Sequence, residues 1–393
     1  MDRYGTIERT RQDIIWLCHA GLDSQTLRVE TIKQLCKVIP IDVSFFATAD
    51  PATLLFTGAI VDDLLAPAAP QFLANEFLHE DVVKFARLAR SASPVGYLGE
   101  ATQNQLERSA RYRDILAPLA LGDELRAALR VGPTCWGFMC LHRERASPHF
   151  TATEAAFLRR LTPHLAEGLR AALLIGKATE LPVQAELPVQ EGPGLILLTD
   201  DFALAAMTPA AERWLGEIDE GGWPPRNELP QAIYAVAARL LALEQGSSVS
   251  ANLLPRVRLR TKSGQWLVLH ASRLRESSPF RDSMSHGHIA VIMEVAQVVE
   301  IAPLIVQAYN LSRRESEITQ SVVRGLSTAE IAAKLHISPT TVQDHCKAIF
   351  DKVGVHSRRE LVGVIFAQQY QPRMMAGYSV NSEGWFDEAT GPG

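Results

Sequence analysis

Long hydrophobic runs are missing from this 393-residue chain: no stretch reaches the ~18 uncharged apolar residues that a membrane helix needs. The opening MDRYGTIERTRQDII is charged from its second residue, unlike a secretory signal, so a cytoplasmic home and no membrane partner are expected. Cysteine is scarce. Five cysteines, an odd number spread along the chain, exclude a disulfide framework. No GxxxxGK[ST], HExxH, CxxC or GxSxG occurs, so the expectation is a non-enzyme with no catalytic residue, no metal site and no evident cofactor. Cys140 and His142 lie two apart on one strand and share a face, but a metal needs more ligands, and a filled core is the expected reading. Cys18 and Cys36 read as helix core positions. A large excess of charge is also absent: Lys+Arg 39 against Asp+Glu 44 gives −5, which argues against a chain coated in basic residues.

What is present is ordinary globular material, 47% hydrophobic and 21% charged, at a length that suggests two to four domains at ~100–200 residues each. Residues 177–193 repeat ELPVQ at Glu180 and Glu186 without a helical or strand period, the pattern of an extended proline-containing linker. Residues 371–393, rich in Gly, Ser, Asn and acids, read as a loosely ordered tail.

Between these, residues 1–176 open with helical patterns at Glu8–Ala20 and Gln25–Val38. Strand-like runs follow at Asp42–Thr48 and Leu54–Val61, then helices around Pro70–Arg90 and Gln103–Leu116. A hairpin comes next, with Leu125, Ala127, Leu129 and Val131 alternating against Glu124, Arg126 and Arg130 before Gly132-Pro133. The amphipathic helix Thr151–Ile175 closes the block, and helices around hairpins imply an α+β fold. Residues 194–298 repeat this economy: a strand, a helix started by Thr208-Pro209, a helix Leu229–Glu244, and a hairpin turning at Lys262-Ser263-Gly264. On DELRAALRV, WGFMCLHR and FTATEAAFLRRLTPHLAEGLRAAL the first block resembles a GAF domain. On GLILLTDDFALAAMTPAAERWLG and TKSGQWLVLHASRL the second resembles a PAS domain. Sensory roles are what those resemblances imply, and aromatics in the first block, Phe46, Phe77, Tyr97, Tyr112, Trp136 and Phe138, then line either a largely apolar ligand pocket or a packed core.

After a connecting helix at 299–310, residues 311–370 carry an unusually full set of helix starts. Ser312, Ser327 and Ser357 each precede a glutamate by three, the spacing of a capping box, and Ser338-Pro339 starts a fourth helix. The second and third helices, joined by Leu335-His336-Ile337, have helix-turn-helix spacing. The region resembles the LuxR/FixJ-type helix-turn-helix in RESEI, GLSTAEIAAKL, ISPTTVQDH and KVGVHSR. The expected architecture is therefore multidomain, two α+β sensory domains followed by an all-α four-helix helix-turn-helix domain.

If Val342, Ile349 and Val353 face the core, the opposite face of the third helix presents short polar groups to a major groove. Gln343 suits adenine and Lys347 guanine, while Asp344 either accepts from cytosine or is a penalty near phosphates. In the resembled family the Gln343 position is usually lysine and the Asp344 position usually apolar, so this chain departs at both. Thr340, Thr341, His345, Lys352 and Arg358 are backbone-contact candidates, and His345 equally reads as a packed core histidine. Eight basic against six acidic side chains over Leu311–Phe366 leave only +2, which favours DNA binding as a homodimer. The expectation is a transcriptional regulator whose partners are double-stranded DNA, a second copy, a small-molecule or protein signal, and the transcription machinery. The alternative is a constitutive DNA-binding protein whose N-terminal domains serve dimerisation and partner docking.

Overall fold

The computed structural model describes residues 3–174, 192–218, 229–246, 253–274, 288–296 and 311–367, with 300, 301, 304 and 307–309 between the last two. Most of the 177–193 linker and of the 299–310 helix, the 371–393 tail, and the side chains of Ile365 and Phe366 lie outside the described residues. The chain divides into two compact units, one holding both α+β regions and one holding the C-terminal helices.

In the first region, helices α1 (Arg3–His19) and α2 (Ser24–Leu35) precede strands β1 (Val43–Ala49) and β2 (Phe56–Val61). Asp23 starts α2 by accepting from the Thr26 amide. Then come α3 (Ala69–Phe77), the single turns α4 (Phe85–Leu88) and α5 (Leu98–Ala101), strands β3 (Val95–Tyr97), β4 (Leu121–Val131) and β5 (Thr134–Glu144), and α6 (Ala152–Leu174). The antiparallel sheet runs β2-β1-β5-β4-β3. The long β4–β5 hairpin forms as its alternation predicts. The helices expected around Pro70–Arg90 and Gln103–Leu116 do not run through. Val83, Gln103 and Asn104 adopt positive φ, and beyond α3 only short turns remain at Phe85–Leu88, Leu106–Arg108 and Tyr112–Leu116. Asp81 explains part of this, because its carboxylate accepts from the Val82 and Arg111 amides, Ser109 Oγ and Asn75 Nδ2. A side chain that binds loop amides competes with the helical ladder.

The second region has β6 (Gly194–Leu198), β7 (Leu204–Met207), α7 (Pro209–Ile218), α8 (Gln231–Glu244), β8 (Arg256–Arg260), β9 (Trp266–Arg273) and β10 (Ile289–Val295). Its sheet runs β7-β6-β10-β9-β8, the same order as the first when numbered within its own region. One hydrophobic core extends from Phe45, Phe56 and Phe77 of the first region to Val236, Leu269 and Val291 of the second. Helix α8 makes this possible. Residues Ala232 to Ala238 are all buried, and the helix packs on α3 and β2 on one side and on β9 on the other. A helix apolar all round belongs inside a core. Asp50, 1% exposed, adds a polar tie: its carboxylate accepts from the backbone amide, Nε and a terminal nitrogen of Arg258.

Candidate nucleic-acid interface

Residues 311–367 of the C-terminal unit form four helices, Arg313–Val323, Thr328–Leu335, Pro339–Val353 and Arg358–Ala367. Ser312 with Glu315 and Ser327 with Glu330 form complete capping boxes. At the fourth start Ser357 Oγ accepts from the Glu360 amide, but the Glu360 carboxylate reaches the His356 amide and the Ser357 hydroxyl instead of the Ser357 amide. Ser338 caps the third helix by accepting from the Thr341 amide, with Pro339 at its first position. His336 ends the second helix in the left-handed region at φ 54°, turning the chain tightly between the second and third helices. Arg314 donates to the Leu335 carbonyl beside that turn and pairs with Glu317.

The third helix buries Val342, Cys346 and Ile349 against Ile318, Val322, Ile331 and Leu361. Cys346 was not among the expected core positions, although its place four after Val342 and three before Ile349 puts it on that stripe. On the other side Thr340, Gln343, Asp344 and Lys347 are exposed, whereas Thr341 and His345 are half-buried at its edges. Four exposed polar side chains at spacings of three and four thus share one face. Lys352 and Arg358 are engaged within the unit. Lys352 Nζ lies 2.6 Å from Glu315 Oε2, and Arg358 donates to Thr328 Oγ1 and the Leu326 carbonyl. These bonds tie the third helix to the first and the fourth to the loop before the second. Burial alone would raise the Glu315 carboxyl, but the Lys352 and Ser312 donors reverse this and hold it below its usual range.

In the N-terminal unit, Phe77, Phe138 and Tyr112 belong to the core shared with Phe45, Phe56 and Phe85. Its rings are in contact, with Phe85 and Phe138 centroids 4.7 Å apart. Phe46 pairs with Met139 and Tyr97 with Leu125, which turns both to the opposite face of the sheet, where Leu169 of α6 packs over Gly137. Phe46 and Tyr97 are therefore not brought together with Phe77 and Phe138, because successive strand residues point to opposite faces. Trp136 is buried beside a register shift, and its Nε1 has no partner among the described residues.

Two polar positions in the middle of β4 do not face water. Glu124 and Arg126 are fully buried, and Glu124 pairs with Arg111 at 2.6 Å and Arg126 at 3.1 Å. Arg126 also pairs with Glu76 at 2.8 Å and lies over the Phe85 ring. Burial alone would raise the Glu124 carboxyl, but the Arg111 and Arg126 guanidiniums hold it well below the carboxylate range. Glu124, Cys140 and His142 bring three potential ligand atoms within 4.8 Å of one another. Both Glu124 oxygens already face guanidiniums, so a cation held there would be repelled by two fixed positive charges.

Burial pushes His142 down to about 4, and neither of its ring nitrogens has a hydrogen-bond partner among the described residues. Between pH ~6.5, where an unfolded histidine titrates, and about 4, the unfolded chain holds a proton that the folded chain lacks. Stability is thus complete above that window and falls as pH drops through it, by up to ~3 kcal/mol. His142→Leu should remove this slope. Urea unfolding at pH 7 and pH 4.5 checks it, and equal slopes in both proteins would contradict it.

The luxR family of bacterial regulatory proteins matches residues 309–365, the segment that forms the four helices. The probable transcriptional regulatory protein NarL of Mycobacterium tuberculosis is 36% identical over 59 residues, 15% of this chain and 27% of NarL, so the match spans about a quarter of that relative. A solved structure of the Vibrio cholerae VqmA dimer, a LuxR-type receptor, superposes with a TM-score of 0.20 at 16% identity, covering 46% of this chain and 84% of that one. Spore germination protein GerE of Bacillus subtilis is 38% identical over 52 residues, 13% of this chain and 70% of GerE. With more than two-thirds of GerE matched at that identity, the chain belongs to the luxR family of bacterial regulatory proteins.

Proposed function

We propose that this chain is a sequence-specific DNA-binding transcriptional regulator, with the third C-terminal helix in the major groove. The observation that carries the reading is the exposed face Thr340, Gln343, Asp344 and Lys347 on a helix whose other side is locked into the core. Lys347 has no partner within the unit among the described residues, so its ammonium is available to guanine O6/N7. Gln343 addresses adenine, and Asp344 accepts from cytosine N4 where the site offers it. Thr340, Thr341 and His345 contact the backbone, while Lys352 and Arg358 act chiefly by holding the helices in place.

The two α+β regions are the regulatory part, GAF-like and then PAS-like, and their shared strand order supports reading them as related sensory modules. The regulator acts as a homodimer on a two-fold site. Helix α6 packs on α1, α2 and β4, and the apolar ring of Trp16 on α1, 68% exposed, is the surface we assign to the contact. The contacting aromatic rings favour the second reading at that one place, a packed core with no pocket among the phenylalanines.

The test starts by selecting a preferred duplex from a random pool with the full chain. Lys347→Ala should weaken binding to that duplex by ~1–3 kcal/mol and relax preference at one base pair. Unchanged affinity and preference would remove Lys347 from the interface.

A further inference from the structure

Among the described residues one pair of histidines has its rings in contact: His19, the last residue of α1, and His164 in the middle of α6. Their centroids are 6.0 Å apart, with the ring planes at 81°. His19 is exposed and His164 half-buried, so the two rings open to solvent and not into packed core. The helices that carry them are fixed at this point. A Cβ on Gly168, one turn past His164, would lie 3.1 Å from both the Cα and the carbonyl oxygen of Cys18. Helices α1 and α6 therefore approach backbone to backbone beside His19, and the imidazoles project from a rigid pair. Only side-chain torsions need to turn, and the outer torsion of histidine has a broad well.

This spacing suits a shared metal ion. Two ring nitrogens at ~2.0–2.1 Å from one zinc put their ring centroids roughly 5–6 Å apart. The charge of Arg11 reaches His164, but both Glu8 oxygens accept from that guanidinium, so the pair carries no net charge. His19 also stands at the C-terminal, negative end of the α1 dipole, which favours a cation. Two imidazoles leave a tetrahedral ion half-coordinated. Trp16, three residues before His19 and on the same side of α1, marks the surface assigned above to the contact between copies. A two-fold axis through that surface brings a second His19 and His164 toward the first pair. We propose that His19 and His164 form half of a four-histidine site for a zinc-like divalent ion held between two copies of the chain. The inference rests on the homodimer reading, and it makes the metal the factor that sets the strength of the dimer. Imidazole ligands select zinc, copper or nickel over magnesium and calcium, which take oxygen ligands.

The test is the light-scattering mass of the EDTA-treated full chain across a dilution series with zinc chloride, magnesium chloride or no metal. Zinc should lower the dimer dissociation constant about tenfold or more, and elemental analysis of the gel-filtered dimer should find one ion per two chains. Magnesium should do neither. His19→Ala and His164→Ala should each abolish the zinc effect and keep the metal-free dissociation constant and melting temperature of wild type. If His164→Ala does not fold, His19→Ala decides alone, because its side chain is exposed at a helix end. One ion per chain, an equal effect of magnesium, or a zinc effect kept in His19→Ala would overturn the site. A metal-free dimer indifferent to zinc would overturn the site and leave the homodimer reading standing, whereas a chain monomeric throughout would overturn both.

Discussion

Glu124→Ala should destabilise the N-terminal unit by ~3–5 kcal/mol, because it leaves the guanidiniums of Arg111 and Arg126 buried beside each other with their shared carboxylate gone. Arg126 would keep Glu76, and Arg111 would keep only a longer approach to Asp81 at 3.8 Å and the carbonyl groups around it. Against a total stability of ~5–15 kcal/mol this is a large fraction, so the unfolding midpoint should fall steeply. Urea unfolding at pH 7 reads the loss directly, and a change below ~1 kcal/mol would mean that the network carries little. Wild type has its own acid sensitivity here. The folded Glu124 carboxyl is depressed, so its contribution is present above the unfolded value of ~4.3 and is lost as pH falls toward the folded one.

Gly137→Ala should cost a further ~3 kcal/mol or more for a purely steric reason. A methyl group at Gly137 would lie 2.6 Å from both the Ala47 carbonyl oxygen and Leu169 Cδ1. The carbonyl belongs to β1, held in register between β2 and β5, and cannot yield as a side-chain tip would. Gly216→Ala in α7 is the control, since a methyl group there meets nothing within 4 Å and alanine favours the helix. The first should lower the unfolding midpoint while the second holds or raises it. Equal midpoints would contradict the close packing of α6 on this sheet.

How far the sequence foretold these features depends on the range of the interaction. Capping boxes at Ser312 and Ser327 were legible because donor and acceptor are three residues apart. The exposed face of the third C-terminal helix was legible because one period fixes it, and Cys346 followed the same arithmetic. The N-terminal charge network was not legible. Alternation in β4 separates Glu124 and Arg126 from Leu125 and Ala127, but it cannot say that α3 and α4 will bury the polar side too. The partners that neutralise it, Glu76 and Arg111, lie on segments distant in sequence. Phe46 and Tyr97 show the opposite case. Strand parity alone separates Phe46 from Phe45, and the pocket grouping overlooked it. Lys352 and Arg358 look like free cations in sequence, and only tertiary structure shows Glu315 and the Leu326 carbonyl beside them.

The third C-terminal helix is proposed to read bases through its exposed face, and Gln343 tests this most directly because its removal changes no charge. Full-length wild type and Gln343→Ala are titrated, at one fixed salt concentration, with the selected duplex and with a scrambled duplex of the same length. The expected result is a loss of ~1–3 kcal/mol on the selected duplex and almost none on the scrambled one. Equal losses on both would show that Gln343 touches only the backbone, and would contradict the groove assignment of this helix.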